Sequence, residues 1–480
     1  MNHEIFYEAM LARDYRFDGK FYTGVKTTGI YCRPICPAKP KRENVEFFLS
    51  ATAAEKSGYR PCLRCRPECA PLSPAWYGRS AIVQRALKVI AADGFFDTNE
   101  DKFADQFGVT ARHLRRLFIE EVGLTPKKIA FNNRLNFARK LIVESDLPMT
   151  SVAMTAGFSS LRRFNDSFKK RFHRAPSEMR KKRHQVNTEG VLLSLSYRPP
   201  LDWTTLLNHY HTHQIIGVES VTEDTYERIF RIGKTVGLLR VKNSEDESQL
   251  KLHVSVGDPT VLFSVSQKVR QMFDLDSDPI LVANSFQSQK FLDSLWKKYP
   301  GLRLARGWDA FETAICTILG QLVSVQQAKT LVAQLVEHYG EKVKHRQTGK
   351  TGFLFPTPAT LSKANLFEVK TTKSRKTAIR EFSRLVSTRN IDLLTPQDDD
   401  FMKTQLLSIP GIGPWSAEYI SLRAFGSTDA FPHTDLILKR AIEKHPEIDF
   451  IKLRPWRSYA AIYLWKHYAA ELSGKKGKKK

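Results

Sequence analysis

Five of the chain's six cysteines fall between residues 32 and 69. Four of them read as Cys32-x3-Cys36 and Cys62-x2-Cys65, and thiol pairs at that spacing supply two ligands each to a tetrahedral site, most often for Zn2+. The gap between the pairs carries no cysteine and is mostly polar, with one apolar stretch, Val45 to Leu49, that could form a strand. Cys69 leaves the fourth ligand open. The two-residue spacing favours Cys62 and Cys65. Taken alone, the spacing fits a purely structural zinc site better than a reactive one. Residues 1–14 lack a signal-peptide core and no apolar run reaches membrane-spanning length, so the chain is expected to stay in the reducing cytoplasm, where thiolate metal sites are favoured over disulfides.

At 480 residues the chain has room for several domains with cores of their own. Lys and Arg number 75 against 50 Asp and Glu, a formal charge of +25. That excess favours a polyanionic partner, since every phosphate neutralised releases counterions.

From Trp76 to about Arg183 the apolar spacing is helical, as in Ile82, Ala86, Leu87 and Ile90. A short helix at Asp101–Phe107, a glycine, and a Thr110 cap lead into a helix over 111–121 that carries Arg112, Arg115 and Arg116. The order repeats: Val152 to Phe158, Ser159-Ser160, then Leu161 to Arg171 with Arg162 and Arg163. One charged amphipathic helix is usually a solvated face. Two spaced copies point to paired helix-turn-helix units with basic helices for the major groove. Spacing does not separate base readers from phosphate contacts among these arginines.

Beyond a linker at 184–190 the pattern changes. Strand-like pieces such as Leu250 to Val256 precede a mainly helical region with a polar loop around Lys342 to Thr351. Phe401 to Leu422 reads as helix, Pro-Gly-Ile-Gly turn, helix. Gly411 and Gly413 allow tight bends, and the N–H groups that follow can hold a phosphate, although a tight turn in a helical core gives the same pattern. Asp435, just before an apolar helical run, has the placement of an N-cap. Cys316 lies in an apolar helix and reads as a core residue.

Residues 24 to 69, with Thr27-Thr28-Gly29-Ile30-Tyr31-Cys32-Arg33-Pro34 and Arg60-Pro61-Cys62-Leu63-Arg64-Cys65, resemble the N-terminal domain of the Ada family. The resemblance implies that Cys32 accepts a methyl group from a DNA methylphosphotriester while Cys32, Cys36, Cys62 and Cys65 bind the zinc, with Cys69 a free thiol. A zinc with four thiolates carries about −2, and about −1 once one is a thioether, so methylation is expected to tighten DNA binding. Phe164 to Met179 resembles the AraC-type DNA-binding domain. Residues 192 to 470, with Gly301 to Leu304, Ile318 to Val325, Gly411 to Trp415 and Pro455 to Ala460, resemble the AlkA family of helix-hairpin-helix glycosylases. That resemblance makes Asp435 the catalytic carboxylate. It puts Trp415, Tyr419 and Trp456 in the base pocket and makes Leu322 the wedge in the duplex. It also has Gly411 and Gly413 on the backbone, and a monovalent cation on the carbonyls of Leu407, Ile409 and Gly411. Thr434 departs from the family, which has a second acidic residue there. Trp415 stands where bifunctional relatives carry a lysine, so no lyase step is expected. No Pro-Cys-His-Arg motif occurs, so repair of O6-methylguanine is not expected.

The expected fold is multidomain and mainly α. It comprises a small α/β zinc domain (1–75), an all-α AraC-type double helix-turn-helix (76–183), a mixed α/β subdomain (191–285), a helix-hairpin-helix bundle (286–472) and a disordered basic tail (473–480). The expected function joins monofunctional 3-methyladenine glycosylase activity to methyl-gated transcriptional activation. Expected partners are alkylated double-stranded DNA, promoter DNA and RNA polymerase, with no membrane and a monomeric, nucleoid-associated chain. The rival is a DNA-binding regulator with a structural zinc site and an inactive glycosylase-like module.

Overall fold

In the computed structural model the four strands of the zinc lobe form one sheet that aims Cys32 at the other sulfurs. The structure describes residues 3–13, 17, 21–34, 36, 38–62, 65, 67, 81–93, 99–180, 190–345, 348–393 and 399–477. Cys69, the 75/76 junction and all of the 184–190 linker but residue 190 lie outside them. The described chain divides into two compact units. One is residues 1–196 with 258–267 and 276–280, and the other holds the remainder. The strand Val191–Ser196 thus groups with the first unit, although the sequence puts it at the start of the α/β subdomain.

In the first unit, α1 (His3–Leu11) precedes β1 (Tyr22–Val25), β2 (Ile30–Cys32), β3 (Val45–Phe48), α2 (Ala51–Lys56) and β4 (Arg60–Pro61). The sheet order is β3-β1-β2-β4. The β1–β2 pair is antiparallel with Thr23 opposite Cys32, and β4 runs parallel to β2. The apolar stretch starting at Val45 is β3, as its composition suggests.

Next come α3 (Ala81–Asp93), α4 (Glu100–Asp105), α5 (Ala111–Val122), α6 (Pro126–Glu144), α7 (Met149–Thr155), α8 (Leu161–Phe172) and α9 (Pro176–Met179). Both helix-turn-helix units are present. Their turns use Gly108 and Gly157 at φ +69° and +76°, a region open to glycine at little cost. Thr110 and Ser160 cap α5 and α8 by accepting from the backbone N–H of His113 and Arg163. Each helix buries an apolar stripe: Leu114, Phe118 and Val122 on α5, and Phe164, Phe168 and Phe172 on α8. The opposite faces are exposed.

In the second unit, α10 (Trp203–Thr212) leads to a meander of β5 (Glu219–Val221), β6 (Thr225–Ile232), β7 (Thr235–Ser244) and β8 (Gln249–Val256), each antiparallel to the next. Among the helices that follow are α11 (Ala310–Leu319), α12 (Val325–Tyr339), α13 (Lys373–Ser387), α14 (Asp399–Leu407), α15 (Pro414–Arg423), α16 (Leu436–Lys444) and α17 (Arg457–Gly477). The polar loop expected around Lys342–Thr351 is instead the turn of a hairpin in which Glu341–Lys344 pairs with Thr351–Leu354. Its first strand has no buried residue, so the alternation that marks a strand is missing from its sequence. Helix α17 runs to Gly477, past residue 473 where a disordered tail was expected. Cys316 packs against the core around α11, and burial pushes its thiol well above the ordinary range. Among the described residues no helix is long and apolar enough to cross a membrane.

Candidate functional site

The zinc lobe brings four sulfurs together from two loops. Cys32 ends β2, and a turn closed by the Cys36 N–H on the Arg33 carbonyl at 3.0 Å carries Cys36 back beside it. Cys62 follows β4 and is tied to β2 through its N–H on the Tyr31 carbonyl at 3.0 Å. The ligand atoms of Cys32, Cys36, Cys62 and Cys65 all lie within 4.8 Å of one another. A tetrahedron with Zn–S bonds of about 2.3 Å has S–S edges of about 3.8 Å, and Cys36 Sγ lies 3.9 Å from Cys62 Sγ. The donor set therefore fits Zn2+. The Arg33 N–H approaches Cys65 Sγ at 3.3 Å, a further dipole on the sulfurs. In the crowded cluster, hydrogen bonding to Cys36 and Cys62 raises Cys32, whereas donation from Cys32 lowers Cys62.

One carboxylate joins this lobe to the second helix-turn-helix unit. Glu55, on α2, accepts from the Tyr31 hydroxyl at 2.9 Å and from Asn132 Nδ2 on α6 at 2.9 Å, and pairs with Arg171 on α8 at 2.7 Å. Arg139 of α6 adds a buried bond to the Pro61 carbonyl at 3.3 Å. Arg112, Arg115, Arg116, Arg162 and Arg163 are all exposed on the faces of α5 and α8 opposite their buried stripes. Arg115 reaches Glu100 at 3.5 Å and Arg116 reaches Glu120 at 3.9 Å. Exposed pairs of this kind contribute about 0–1 kcal/mol.

In the second unit the hairpin between α14 and α15 turns at Gly411, φ +93°, where a Cβ would stand 3.1 Å from Ala378. Gly413 is the N-cap of α15, with Pro414 in its first turn. The unpaired N–H groups of that turn are suited to an anion. Ile409 and Ile412 are buried and fix the hairpin to the core. Leu322 projects from the turn before α12, 102% exposed and at φ +52°. Its neighbour Gln321 donates through Nε2 to the Gly411 carbonyl at 2.8 Å and to Ser416 Oγ at 2.9 Å, so the two turns form one piece.

Asp435 caps α16, accepting from the N–H groups of Ile437 and Leu438 at 3.0 and 3.2 Å. The N-cap placement read in the sequence is real, and it leaves the half-buried carboxylate with more to do. Trp415 Nε1 donates to Oδ2 at 3.1 Å and Trp465 Nε1 donates to Oδ1 at 2.9 Å. Trp415 stacks on Tyr419 with centroids 5.0 Å apart, and Tyr419 meets Trp465 at 6.0 Å. The structure thus gathers Asp435, Trp415 and Tyr419. Trp456 meets Tyr459 at 5.8 Å, and a third aromatic, in direct contact with the carboxylate, is Trp465. Sequence reasoning missed Trp465, Gln321 and also Arg423, whose guanidinium carbon lies 5.6 Å from the ring centres of both Tyr419 and Trp465. The spacing 415, 419, 423 on one helix was the available signal for Arg423. Thr434 and Lys439 are exposed.

Comparison with known proteins follows the same three-part order. The family model described as "Metal binding domain of Ada" matches residues 6–68, "Helix-turn-helix domain" matches 103–182, and "AlkA N-terminal domain" matches 192–309. The Escherichia coli DNA-3-methyladenine glycosylase 2 is 29% identical over 285 residues, covering 57% of this chain and 96% of that protein. The E. coli bifunctional transcriptional activator/DNA repair enzyme Ada is 36% identical over 153 residues, 32% of this chain and 42% of that protein. A Mycobacterium tuberculosis protein described as "Probable bifunctional transcriptional activator/DNA repair enzyme AlkA" is 34% identical over 475 residues, covering 96% of this chain and 95% of its own. With three modules in one order and near-complete coverage, the chain belongs to the family of bifunctional transcriptional activator/DNA repair enzymes of the AlkA type.

Proposed function

We propose that the chain removes alkylated bases from DNA at Asp435 and takes a methyl group from DNA phosphotriesters at Cys32, the second event gating transcription. The observation that carries the first activity is the Asp435 carboxylate, each oxygen of which accepts an indole N–H beside an aromatic wall. Alkylation at N3 or N7 makes a purine cationic and ready to leave. Trp415, Tyr419 and Trp465 would receive the everted ring, with Leu322 in the space it vacates. As the C1′–N bond breaks, its electron pair passes to the base. The sugar becomes oxocarbenium-like, and Asp435 stabilises that charge and orients water. The bound indoles hold the carboxylate in one orientation. The product is an abasic site, with no lysine at the hairpin to form a Schiff base.

At the other site Cys32 Sγ would bond to the methyl carbon while the methyl C–O bond breaks, leaving an ordinary phosphodiester. A bound zinc would keep the sulfur deprotonated at neutral pH. A thioether is not hydrolysed, so each molecule acts once. Loss of a negative charge at Cys32 favours phosphate, and the arginines of α5 and α8 then read a promoter. The same reading makes alkylated double-stranded DNA, promoter DNA and RNA polymerase the partners. It also makes the chain a monomer on the bacterial nucleoid. A monovalent cation would sit on the carbonyls of Leu407, Ile409 and Gly411. The Ile409 and Gly411 oxygens already accept one hydrogen bond each, and each keeps a second lone pair for it.

One incubation with methylated duplex DNA tests both halves. Wild type should release 3-methyladenine, Asp435→Asn should release none, and the Cys32 peptide should gain a single methyl in both proteins. Release that survives in Asp435→Asn, or a Cys32 that stays unmodified with zinc bound, overturns the corresponding half.

A further inference from the structure

The aromatic wall beside Asp435 ends in a charge that the reaction described so far does not use. Trp415, Tyr419 and Arg423 follow one another at successive turns of α15. With a rise of about 1.5 Å per residue, their backbones are spaced roughly 6 Å apart along the helix, and the Arg423 guanidinium carbon lies 5.6 Å from the Tyr419 ring centre. Arg423 is 8% exposed. Its NH1 donates to the Ala305 carbonyl at 2.9 Å, its Nε has no partner, and no carboxylate pairs with it among the described residues. Its charge is felt nearby: burial, with Arg423 second, pushes the His209 imidazole well below its usual range and keeps it neutral. Trp465 touches both ends of the arrangement. Its N–H donates to Asp435 and its face lies against Arg423.

We propose that Arg423 sets which bases the pocket can expel, by holding a fixed positive charge against the wall that receives the base. The inference rests on the glycosylase reading of Asp435. Cleavage moves the electron pair of the C1′–N bond onto the base. The water oxygen bonds to C1′, and a water proton is released to solvent or taken up by the departing base. An alkylated purine starts at +1 and ends neutral. An uncharged base such as hypoxanthine starts neutral and ends at −1 until that proton reaches it. In both cases the base gains one unit of negative charge, so the guanidinium favours the step, while Asp435 favours the positive charge appearing on the sugar. The two classes differ on entry. A cationic base is repelled by Arg423, which raises KM along with kcat and leaves kcat/KM nearly unchanged. A neutral base is not repelled, and the gain appears in full in kcat/KM.

The test measures kcat and KM for duplexes carrying 7-methylguanine or hypoxanthine with wild type, Arg423→Gln and Arg423→Lys. Arg423→Gln should lower kcat on both by roughly tenfold or more. KM should fall with it only for 7-methylguanine, so the kcat/KM preference shifts toward the cationic base by about the same factor. Arg423→Lys, which keeps the charge, should retain the wild-type preference. Equal loss of kcat/KM on both bases in Arg423→Gln, or a preference that shifts equally in Arg423→Lys, overturns the proposal. If Arg423→Gln does not fold, Arg423→Met is read the same way. Wild type inactive on both bases rejects the glycosylase reading itself, whereas an active wild type with an unshifted preference rejects Arg423 alone.

Discussion

At the scale of single residues, two indole N–H donors, Trp415 and Trp465, fix the Asp435 carboxylate beside the two backbone N–H groups that it caps. Trp415 follows a recognisable Gly-Ile-Gly-Pro turn. Trp456 and Trp465 lie nine residues apart in a stretch rich in aromatics, and spacing carries no information on which of them faces the carboxylate. The Pro-Trp-Arg-Ser-Tyr motif drew attention to Trp456, which pairs with Tyr459, whose hydroxyl donates to Asp274 at 2.7 Å. The two tryptophans should therefore separate cleanly. Trp465→Phe keeps an aromatic ring, though a smaller one, but removes the donor, and should lower the rate of 3-methyladenine release by about 10- to 100-fold, as expected for a hydrogen bond to a charged group worth about 1.5–3 kcal/mol. Trp456→Phe should stay within a few-fold of wild type in the same assay.

At the scale of elements, capped helices were the most legible features. Thr110, Ser160 and Asp435 each precede an apolar stripe, and each is a cap. Contacts that organise loops left less trace. Asp429, in the segment between α15 and α16, binds Arg457 at the start of α17 through two bonds of 2.8 and 2.7 Å and Arg454 at 2.9 Å. Burial works against its charge, but Arg457 and Arg454 outweigh that and hold the carboxyl below its ordinary value. A lowered carboxyl stabilises the fold above its unfolded pKa of about 3.9, and that contribution disappears as pH falls through the folded value. Asp429→Asn should thus cost about 1 kcal/mol near neutrality, discounted for solvent screening, and should make little difference in strong acid. Thermal unfolding of both proteins at neutral and acidic pH measures this.

At the scale of the whole molecule, the order of the modules was plain because each carries a motif set by chemistry: sulfur spacing, repeated turns, a glycine hairpin. The division into units was not, since the strand Val191–Ser196 and the pieces at 258–267 and 276–280 join the first unit without any local sign. Glu55 was equally hidden, a lone acid in a six-residue helix. Glu55→Gln should leave the Arg171 charge without its counterion in a mostly buried place, where such a loss typically costs about 3–5 kcal/mol. Faster hydrogen exchange in both β2 and α8, with base release unchanged, is the expected result, and exchange that quickens in one of them alone would count against it. Through that single side chain the sulfur-bearing strand β2 and the helix α8 are tied to each other, so a displacement of either one pulls on the other.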